Sequence, residues 1–386
     1  MKRQVILYGA FDRYNYGDNL MPILLEKFLY KYHYEKIDSI EFVFSSIKKS
    51  DLSKYKCMPT IPMRELLNAP DGSSVIIVGG EVLGANIGIL YTHVQDSLLA
   101  TKILRFIRKL SPTLLNNIAH RNYDAVWDYP YIPNKDDFEN NVKIIYNTVG
   151  GNPAVTEQKN IISADYVSAR DGRTFKHLSN FCDPKLVPDS VLMASAVIDD
   201  EFFSTVVRKE IRDKIGNNFI SVQACPYKVD FTAVQMAKEL ERIVDTHSVD
   251  IVLLPIGYAS GHDDAIFLEK VNGCADNKFI LLSELNVWEI MFVISRSKAY
   301  FGTSLHGVIT AMSFIVPHFS INENIEKITS FLHTWSVSPY NKPISIFNMT
   351  EAFSLSKDND DSDLKYATLQ TQKIISESLN EIANIL

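Results

Sequence analysis

The sequence of 386 residues contains few cysteines and no long apolar run. Its four cysteines lie too far apart in sequence for a zinc-binding motif or a compact disulfide framework; they are Cys57, Cys182, Cys225 and Cys274. This distribution favours a reducing compartment and predicts a cytoplasmic location. No stretch approaches the about 20 apolar residues of a membrane-spanning helix, and the apolar run at 5–9 predicts a first strand rather than a signal sequence.

The chain also lacks a basic excess, since its formal net charge is -7. This balance argues against nucleic acid as a partner. The segment 101–121 is an exception, because it carries basic residues among apolar ones and no acidic residue. We therefore predict a basic amphipathic helix within 98–121. Two interpretations stay open: a core-packed helix with a solvated basic face, or peripheral contact with an anionic lipid surface or a lipid-linked phosphate at the inner face of the membrane.

Neither a GxGxxG motif nor a Walker lysine is present, which makes a dinucleotide or P-loop site a weak hypothesis. What is present is a regular alternation of apolar strand-like runs and helical patterns. The predicted strands are 4–8, 39–44, 73–78, 143–148, 166–169, 219–223, 251–255, 279–282 and 299–301. This alternation predicts an α/β fold with parallel sheets and right-handed crossovers. Because the chain is too long for one ordinary core, we predict two doubly wound domains, 1–195 and 196–386, with a last helix from about Leu364.

The sequence GTSLHG at 302–307 lies between a predicted strand and a predicted helix. The free N–H groups at such a helix start favour an anion. His306 adds a group that can exchange a proton near neutral pH. The alternative is a packed structural histidine. The position at the sheet edge where ligands bind favours a functional one.

Other loops fall at the same edge of the predicted sheets. The first, 14–19, opens a helix predicted at 19–31 with Pro22 in its first turn. In one interpretation Asp18 or Asn19 caps this helix. In the other, Asp18 accepts hydrogen bonds from a sugar. The glycine loop at 79–84 allows close approach to a ligand.

Charged residues in this glycine loop and in two further loops each carry two interpretations. Glu81 is either a cap or a catalytic base. Arg170 is either a bidentate clamp for a carboxylate or phosphate, or one half of a surface ion pair with Asp171 or with a glutamate. Asp189 either caps a turn or faces the cleft. His262, with acidic neighbours, has no second clustered histidine or cysteine, so we predict no metal and expect Asp263 to cap the following helix.

Taken in chain order, these loops resemble the polysaccharide pyruvyl transferase family. The matching segments are NYGDN at 15–19, VGG at 78–80, SARD at 168–171, VPDS at 187–190, GTSLHG at 302–307 and VP at 316–317. Each segment is short, but their order and spacing extend over most of the chain, from about residue 5 to 320.

The resemblance implies a fold like that of the GT-B glycosyltransferases, with two Rossmann-like domains facing a cleft. It implies phosphoenolpyruvate as the donor substrate, no other cofactor, and a glycan or lipid-linked oligosaccharide as acceptor. The product would be a pyruvate ketal in the biosynthesis of a cell-surface polysaccharide such as an exopolysaccharide. His306 matches the family histidine at the donor, and Arg170 matches an arginine of the anion site. Many members have Arg-Leu-His where this chain has Ser304-Leu305-His306, so a cationic contact is missing or is supplied from elsewhere.

We therefore expect a site assembled from both domains, with His306 as general acid and base. The expected donor-binding residues are Arg170, Thr303, Ser304, Leu305 and His306. Asp18 and Glu81 would orient or deprotonate the acceptor, and the expected acceptor-binding residues are Asn15, Asp18, Asn19 and Gly80. Two other functions stay open: a nucleotide-sugar glycosyltransferase of the same architecture, and a non-catalytic relative that binds a glycan or a small anion.

Overall fold

The computed structural model describes residues 2–95, 97–258 and 264–386, and within them the strands form two parallel sheets. The first sheet contains β1 (Gln4–Tyr8), β2 (Glu41–Ser46), β3 (Ile61–Pro62), β4 (Ser74–Val78), β5 (Glu81–Leu83), β6 (Lys143–Gly151), β7 (Tyr166–Ala169) and β8 (Lys185–Leu186). The second contains β9 (Phe219–Val222), β10 (Asp250–Leu253), β11 (Ile280–Leu281), β12 (Tyr300–Gly302) and β13 (His318–Ser320).

Both sheets have Rossmann-like strand orders. The first runs β3-β2-β1-β4-β6-β7-β8, with β5 paired to the end of β6, and the second runs β11-β10-β9-β12-β13. In each sheet the order reverses beside the first strand, which creates a crevice at the carboxyl ends of the strands. The predicted α/β class with two doubly wound, Rossmann-like units is confirmed. We call the first sheet with its helices the first unit and the second sheet with its helices the second unit.

The first sheet is buried on both faces, as its apolar strands require. In β1, Val5 and Leu7 face one hydrophobic core, whereas Ile6 and Tyr8 face another. The first of these cores continues through the second unit, so the two units share packed apolar side chains.

Helices cover the sheets and connect their strands. They are α1 (Tyr16–Tyr32), α2 (Tyr34–Ile37), α3 (Ile87–His93), α4 (Leu98–Leu110), α5 (Pro112–Asn122), α6 (Gln158–Ile162), α7 (Gly172–Leu178), α8 (Ala194–Val197), α9 (Asp200–Val206), α10 (Lys209–Ile215), α11 (Ala233–His247), α12 (Asp264–Cys274), α13 (Val287–Arg296), α14 (Leu305–Ser313), α15 (Glu326–Trp335), α16 (Met349–Asp358) and α17 (Ser362–Ile385). Short 3-10 turns occur at Ser53–Tyr55, Met63–Leu66, Lys135–Asp137, Val155–Glu157, Ser190–Met193 and Ile346–Asn348. No helix in the described part of the chain is both long and apolar enough to span a bilayer.

Helix α1 joins the two units. It packs against α13, α14 and the turn at Ser190–Met193, and the Tyr16 hydroxyl lies 2.9 Å from Thr310 Oγ1 in a buried hydrogen bond. The helix begins at Tyr16 rather than at 19, so the prediction that Pro22 lies in the first turn was wrong. Packing of the buried residues of α1 compensates for the backbone hydrogen bond that an interior proline removes.

The basic segment also differs from its prediction, since it forms two helices rather than one. Ser111 ends α4 in an extended conformation and caps α5, accepting a hydrogen bond from the Leu114 N–H at 3.2 Å. Pro112 then occupies the first position of α5, where its missing N–H costs nothing.

The last helix, α17, runs from the second unit back to the first. Near its start Thr368 donates to the Met312 carbonyl at 3.0 Å, and near its end Ser378 hydrogen bonds with Tyr166 at 2.6 Å. The predicted division at 195/196 stays a prediction, and this helix contacts residues on both sides of it.

Candidate active site

The turn at 302–307 forms the predicted strand-to-helix junction between β12 and α14. Ser304 is the N-cap of α14, and its hydroxyl accepts a hydrogen bond from the Gly307 N–H at 3.3 Å. Thr303 is fully buried behind this turn: its N–H donates to Gln223 Oε1 at 2.9 Å, and its Oγ1 accepts from the Cys225 N–H at 3.0 Å. Thr303 therefore ties the turn to the end of β9 and does not line the cavity described below.

His306 lies in the first turn of α14 and packs directly on α1. A Cβ placed on Gly17 would lie 1.8 Å from His306 Nδ1, so this close approach requires glycine. On the other side of the ring, Nε2 lies 3.6 Å from Asp189 Oδ2. Neither of these two buried atoms has a hydrogen-bond partner among the described residues.

Asp189 caps a turn, as one of its two interpretations predicted, but it does not line the cavity described below. Its Oδ1 accepts the Val191 N–H at 3.0 Å and caps a turn, while its Oδ2 faces His306 and Arg170. Desolvation by itself would raise the pKa of this carboxyl, but His306 and Arg170 hold it below its usual value. Asp189 is therefore an ionised, fully buried carboxylate directed at the imidazole.

Arg170 is buried, so the surface ion pair considered for it was wrong. It is 1% exposed and contacts three carboxylates: Glu81 at 2.5 Å, Asp189 at 3.5 Å and Asp171 at 3.8 Å. A Cβ on Gly150 would lie 2.6 Å from its Nε, so this glycine makes room for the guanidinium. Three carboxylates within 3.8 Å therefore compensate the positive charge of Arg170 inside the protein.

Glu81 follows the glycines at 79–80 and bridges two arginines. Its carboxylate lies 2.5 Å from Arg170 and 2.5 Å from Arg173. Desolvation would raise the pKa of Glu81, but the charges of Arg170, Lys327 and Arg173 outweigh it and hold the pKa below its usual value. An ionised carboxylate with this low proton affinity is a weak base, and its catalytic assignment stays a prediction.

The first unit contributes a polar wall from Asn15, from the first turn of α1 and from the glycine loop after β4. Asn15 donates to Asp18 Oδ2 at 2.9 Å, and a Cβ on Gly80 would lie 3.6 Å from Asp18 Oδ1. Asn19 lies behind this wall, where its amide donates to the Arg13 carbonyl at 2.8 Å and holds the loop in place. Asn19, like Thr303, supports the site from outside the cavity.

A cavity of about 390 Å³ connects these walls at the carboxyl ends of both sheets. It brings together eight of the predicted site residues: Asn15, Asp18, Gly80, Glu81, Arg170, Ser304, Leu305 and His306. Its lining also includes polar and charged residues absent from the expected site: Arg13, His93, Tyr131, Gln223, Lys228, Asp264 and Lys327.

Two lysines in this cavity are the main residues that sequence analysis missed. Lys228 follows β9, and Lys327 lies in the first turn of α15, after β13. Desolvation, followed by the charges of Lys228 and Arg170, lowers the pKa of Lys327 to about 8. Neither lysine forms an ion pair with a described residue. Their position after the carboxyl ends of strands in the second sheet was the signal that could have identified them.

Asp264 adds a carboxylate on the side of the second unit. Its Oδ2 accepts hydrogen bonds from Gln223 Nε2 at 2.8 Å and from the N–H groups of Ile256 and Gly257. Desolvation raises the pKa of Asp264 to about 6. His262 and Asp263 lie outside the described residues; within the described residues, no group of three or more histidine, cysteine or acidic side chains is arranged to hold a metal ion.

Comparisons with solved structures show the same architecture. The structure of the UDP-GlcNAc 2-epimerase from Neisseria meningitidis bound to UDP-GlcNAc superposes on this protein with a TM-score of 0.57 and 10% sequence identity. The superposition covers 99% of this chain and 99% of the epimerase chain. MnaA of S. aureus in complex with UDP is similar over 100% of this chain and 98% of its own, with 14% identity and a TM-score of 0.54. These similarities show a GT-B-type fold.

Sequence comparison identifies the family. No curated protein matches the chain significantly. The sequence model described as "Polysaccharide pyruvyl transferase" matches residues 15–324, which include every loop that contributes a predicted site residue. The chain therefore belongs to the polysaccharide pyruvyl transferase family.

Proposed function

We propose that this protein transfers the pyruvyl group of phosphoenolpyruvate onto two hydroxyls of a glycan or lipid-linked sugar, forming a pyruvate ketal. The observation that carries the proposal is the cavity between the two sheets, which combines cations, a helix start and a histidine facing a buried carboxylate. The four free cysteines of the chain fit a cytoplasmic reaction in the biosynthesis of a cell-surface polysaccharide.

The donor would bind on the side of the second unit. Phosphoenolpyruvate carries a carboxylate and a phosphate, which require cationic and N–H donors. We assign these contacts to Lys327, Lys228 and the N–H groups that open α14 at Leu305, with Arg170 beside them. In this proposal the lysines supply the positive charge that is missing at Ser304, which instead caps the helix.

His306 would move the protons of the reaction. A proton adds to the methylene carbon of phosphoenolpyruvate, and a sugar hydroxyl oxygen bonds to the central carbon as it gives up its own proton. The carbon–oxygen bond to phosphate then breaks, and a second hydroxyl oxygen bonds to the same carbon and loses its proton. Of the two protons released, one balances the proton taken up at the methylene carbon and the other leaves with phosphate. Asp189, 3.6 Å from Nε2, would orient the imidazole and stabilise its charged form.

The acceptor would lie against the first unit, where Asp18, Asn15 and Gly80 form one wall. Asp18 would accept hydrogen bonds from the sugar hydroxyls. We assign Glu81 the task of orienting Arg170 and Arg173 in addition to any contact with the acceptor, because its carboxylate bridges both guanidinium groups.

Phosphate release from phosphoenolpyruvate, measured with a panel of glycosides, tests the proposal. We expect release and a ketal product with the wild-type protein, and loss of both in His306→Ala. The matched control is His333→Ala, which changes an exposed histidine outside the cavity. Equal release by wild type and His306→Ala would refute the role of His306.

A thermal-shift experiment separates the proposal from its alternatives. Phosphoenolpyruvate should raise the Tm of a pyruvyl transferase, whereas UDP- or GDP-sugars should raise that of a nucleotide-sugar glycosyltransferase. Stabilisation by phosphoenolpyruvate without turnover on any acceptor would identify a non-catalytic relative.

A further inference from the structure

We propose that α4, with the start of α5, docks on an anionic lipid bilayer. Four large apolar side chains of α4 follow one another at i, i+4, i+7 and i+11, which places them on one helical face. They are Leu99, Ile103, Phe106 and Leu110, with exposures of 68%, 51%, 62% and 70%. We refer to these four residues as the apolar stripe.

Packing within the protein does not account for the apolar stripe. Helix α4 contacts α3 and α5, and it does so with a different face, on which Thr101 and Leu104 are buried. The contacts of α4 with its own fold are therefore made without the stripe. The next helix adds Leu114, which is 51% exposed, close to the end of the stripe.

The charged side chains next to the apolar stripe indicate which kind of partner this surface binds. Lys102, Arg105 and Lys109 follow one another at i, i+3 and i+7 along one flank of the helix and are exposed, and no acidic residue occurs in 97–123. The local charge is thus opposite to the net charge of -7 for the whole chain. A second copy docked symmetrically on this face would place like charges against each other. An apolar stripe next to basic side chains instead matches the acyl chains and anionic headgroups of a bilayer interface.

This surface lies beside the wall of the candidate active site. Helix α3 packs against α4, and its residues Ile89, Leu90 and His93 line the cavity. Desolvation, followed by the charges of Arg13, Arg105 and Arg108, lowers the pKa of His93 to about 4. Docking through α4 would hold the cavity close to a lipid-linked acceptor. That use of the surface rests on the proposed function, whereas docking itself does not.

Co-sedimentation with vesicles tests the proposal. The vesicles contain either phosphatidylcholine alone or phosphatidylcholine with an equal amount of phosphatidylglycerol, and the readout is bound protein without any turnover. We expect binding to the anionic vesicles only, weakened by salt. The variant Arg105→Gln/Lys109→Gln should bind the anionic vesicles about 25-fold more weakly than the wild type. This figure follows because each basic residue strengthens binding to an anionic surface about fivefold and the variant loses two of them. The variant Ile103→Ser/Phe106→Ser should bind the anionic vesicles no better than the wild-type protein binds the neutral ones.

Two matched controls change equally exposed residues elsewhere and should bind as the wild type does: Tyr366→Ser/Leu369→Ser for the apolar change and Lys238→Gln/Lys298→Gln for the charge change. Circular dichroism and Tm confirm that each variant is folded. Absence of wild-type binding to anionic vesicles, or equal loss in the controls, would overturn the proposal. So would a lipid-free dimer that only Ile103→Ser/Phe106→Ser dissociates, since the stripe would then be a protein interface. Phosphate release with a water-soluble glycoside and no vesicles tests the proposed function separately.

Discussion

Gly17→Ala should damage the site without changing any charged group. The added Cβ would lie 1.8 Å from Nδ1, 1.9 Å from Cγ and 2.3 Å from Cε1 of His306, far inside van der Waals contact. The ring has little room to retreat, because His306 is 8% exposed and α1 and α14 are joined by the Tyr16–Thr310 hydrogen bond. Overpacking of this kind costs about 1–3 kcal/mol of folding free energy. A displacement of roughly 1 Å at a catalytic group lowers the rate by about 10²-fold.

Urea denaturation and phosphate-release assays measure the two effects. Gly273→Ala is the matched control, since a Cβ there meets nothing within 4 Å in helix α12, and we expect it to stabilise the protein by about 0.5–1 kcal/mol. His306→Ala removes the clashing ring, so Gly17→Ala/His306→Ala should recover the lost stability while remaining inactive. If Gly17→Ala is as stable and active as wild type, or if the double variant is no more stable than Gly17→Ala, the proposed contact between α1 and His306 is wrong.

Three further changes address the charged groups of the cavity. The pKa of Asp189 in the folded protein is held below its usual value, so the contribution of this carboxylate to stability is lost as pH falls below about 4. Asp189→Asn should therefore lower the free energy of unfolding at pH 7 by about 3 kcal/mol. It should also flatten the acid limb of a stability–pH curve, because the substituted amide does not titrate. Lys327 is charged below pH about 8 and neutral above it, so the KM for phosphoenolpyruvate should rise as pH increases through about 8, and Lys327→Arg should remove this alkaline rise. Gly150→Ala would place a Cβ 2.6 Å from Arg170 Nε, and we expect a loss of about 1–3 kcal/mol in stability together with a higher KM for phosphoenolpyruvate; an unchanged KM would show that the Arg170 position is not important for the donor.

Much of the fold could be predicted because its signals are local. Apolar runs and helical spacing identified most strands of both sheets, whereas β3, β5, β8 and β13, each of two or three residues, were not predicted because so short a run carries no periodic signal. The carboxyl-edge rule placed the loops at 14–19, 79–84 and 302–307 at the edge where the cavity lies. Errors occurred where local signals conflict. Pro22 suggested a helix start that the packing of α1 overrides, and Pro112 begins a new helix within a segment expected to be continuous.

Local patterns in the sequence are enough to predict the fold class, the sheet edge where the cavity lies and the helix start that bears His306, since each depends on residues close together in the chain. Which charged side chains contact each other depends on how the chain folds in three dimensions. The tertiary structure surrounds Arg170 with three carboxylates, sets Asp189 against His306 and brings Lys327 into the cavity. The physical reason is that a charged side chain contacts groups distant in sequence, and the docking of the two units, rather than any local pattern, selects those groups.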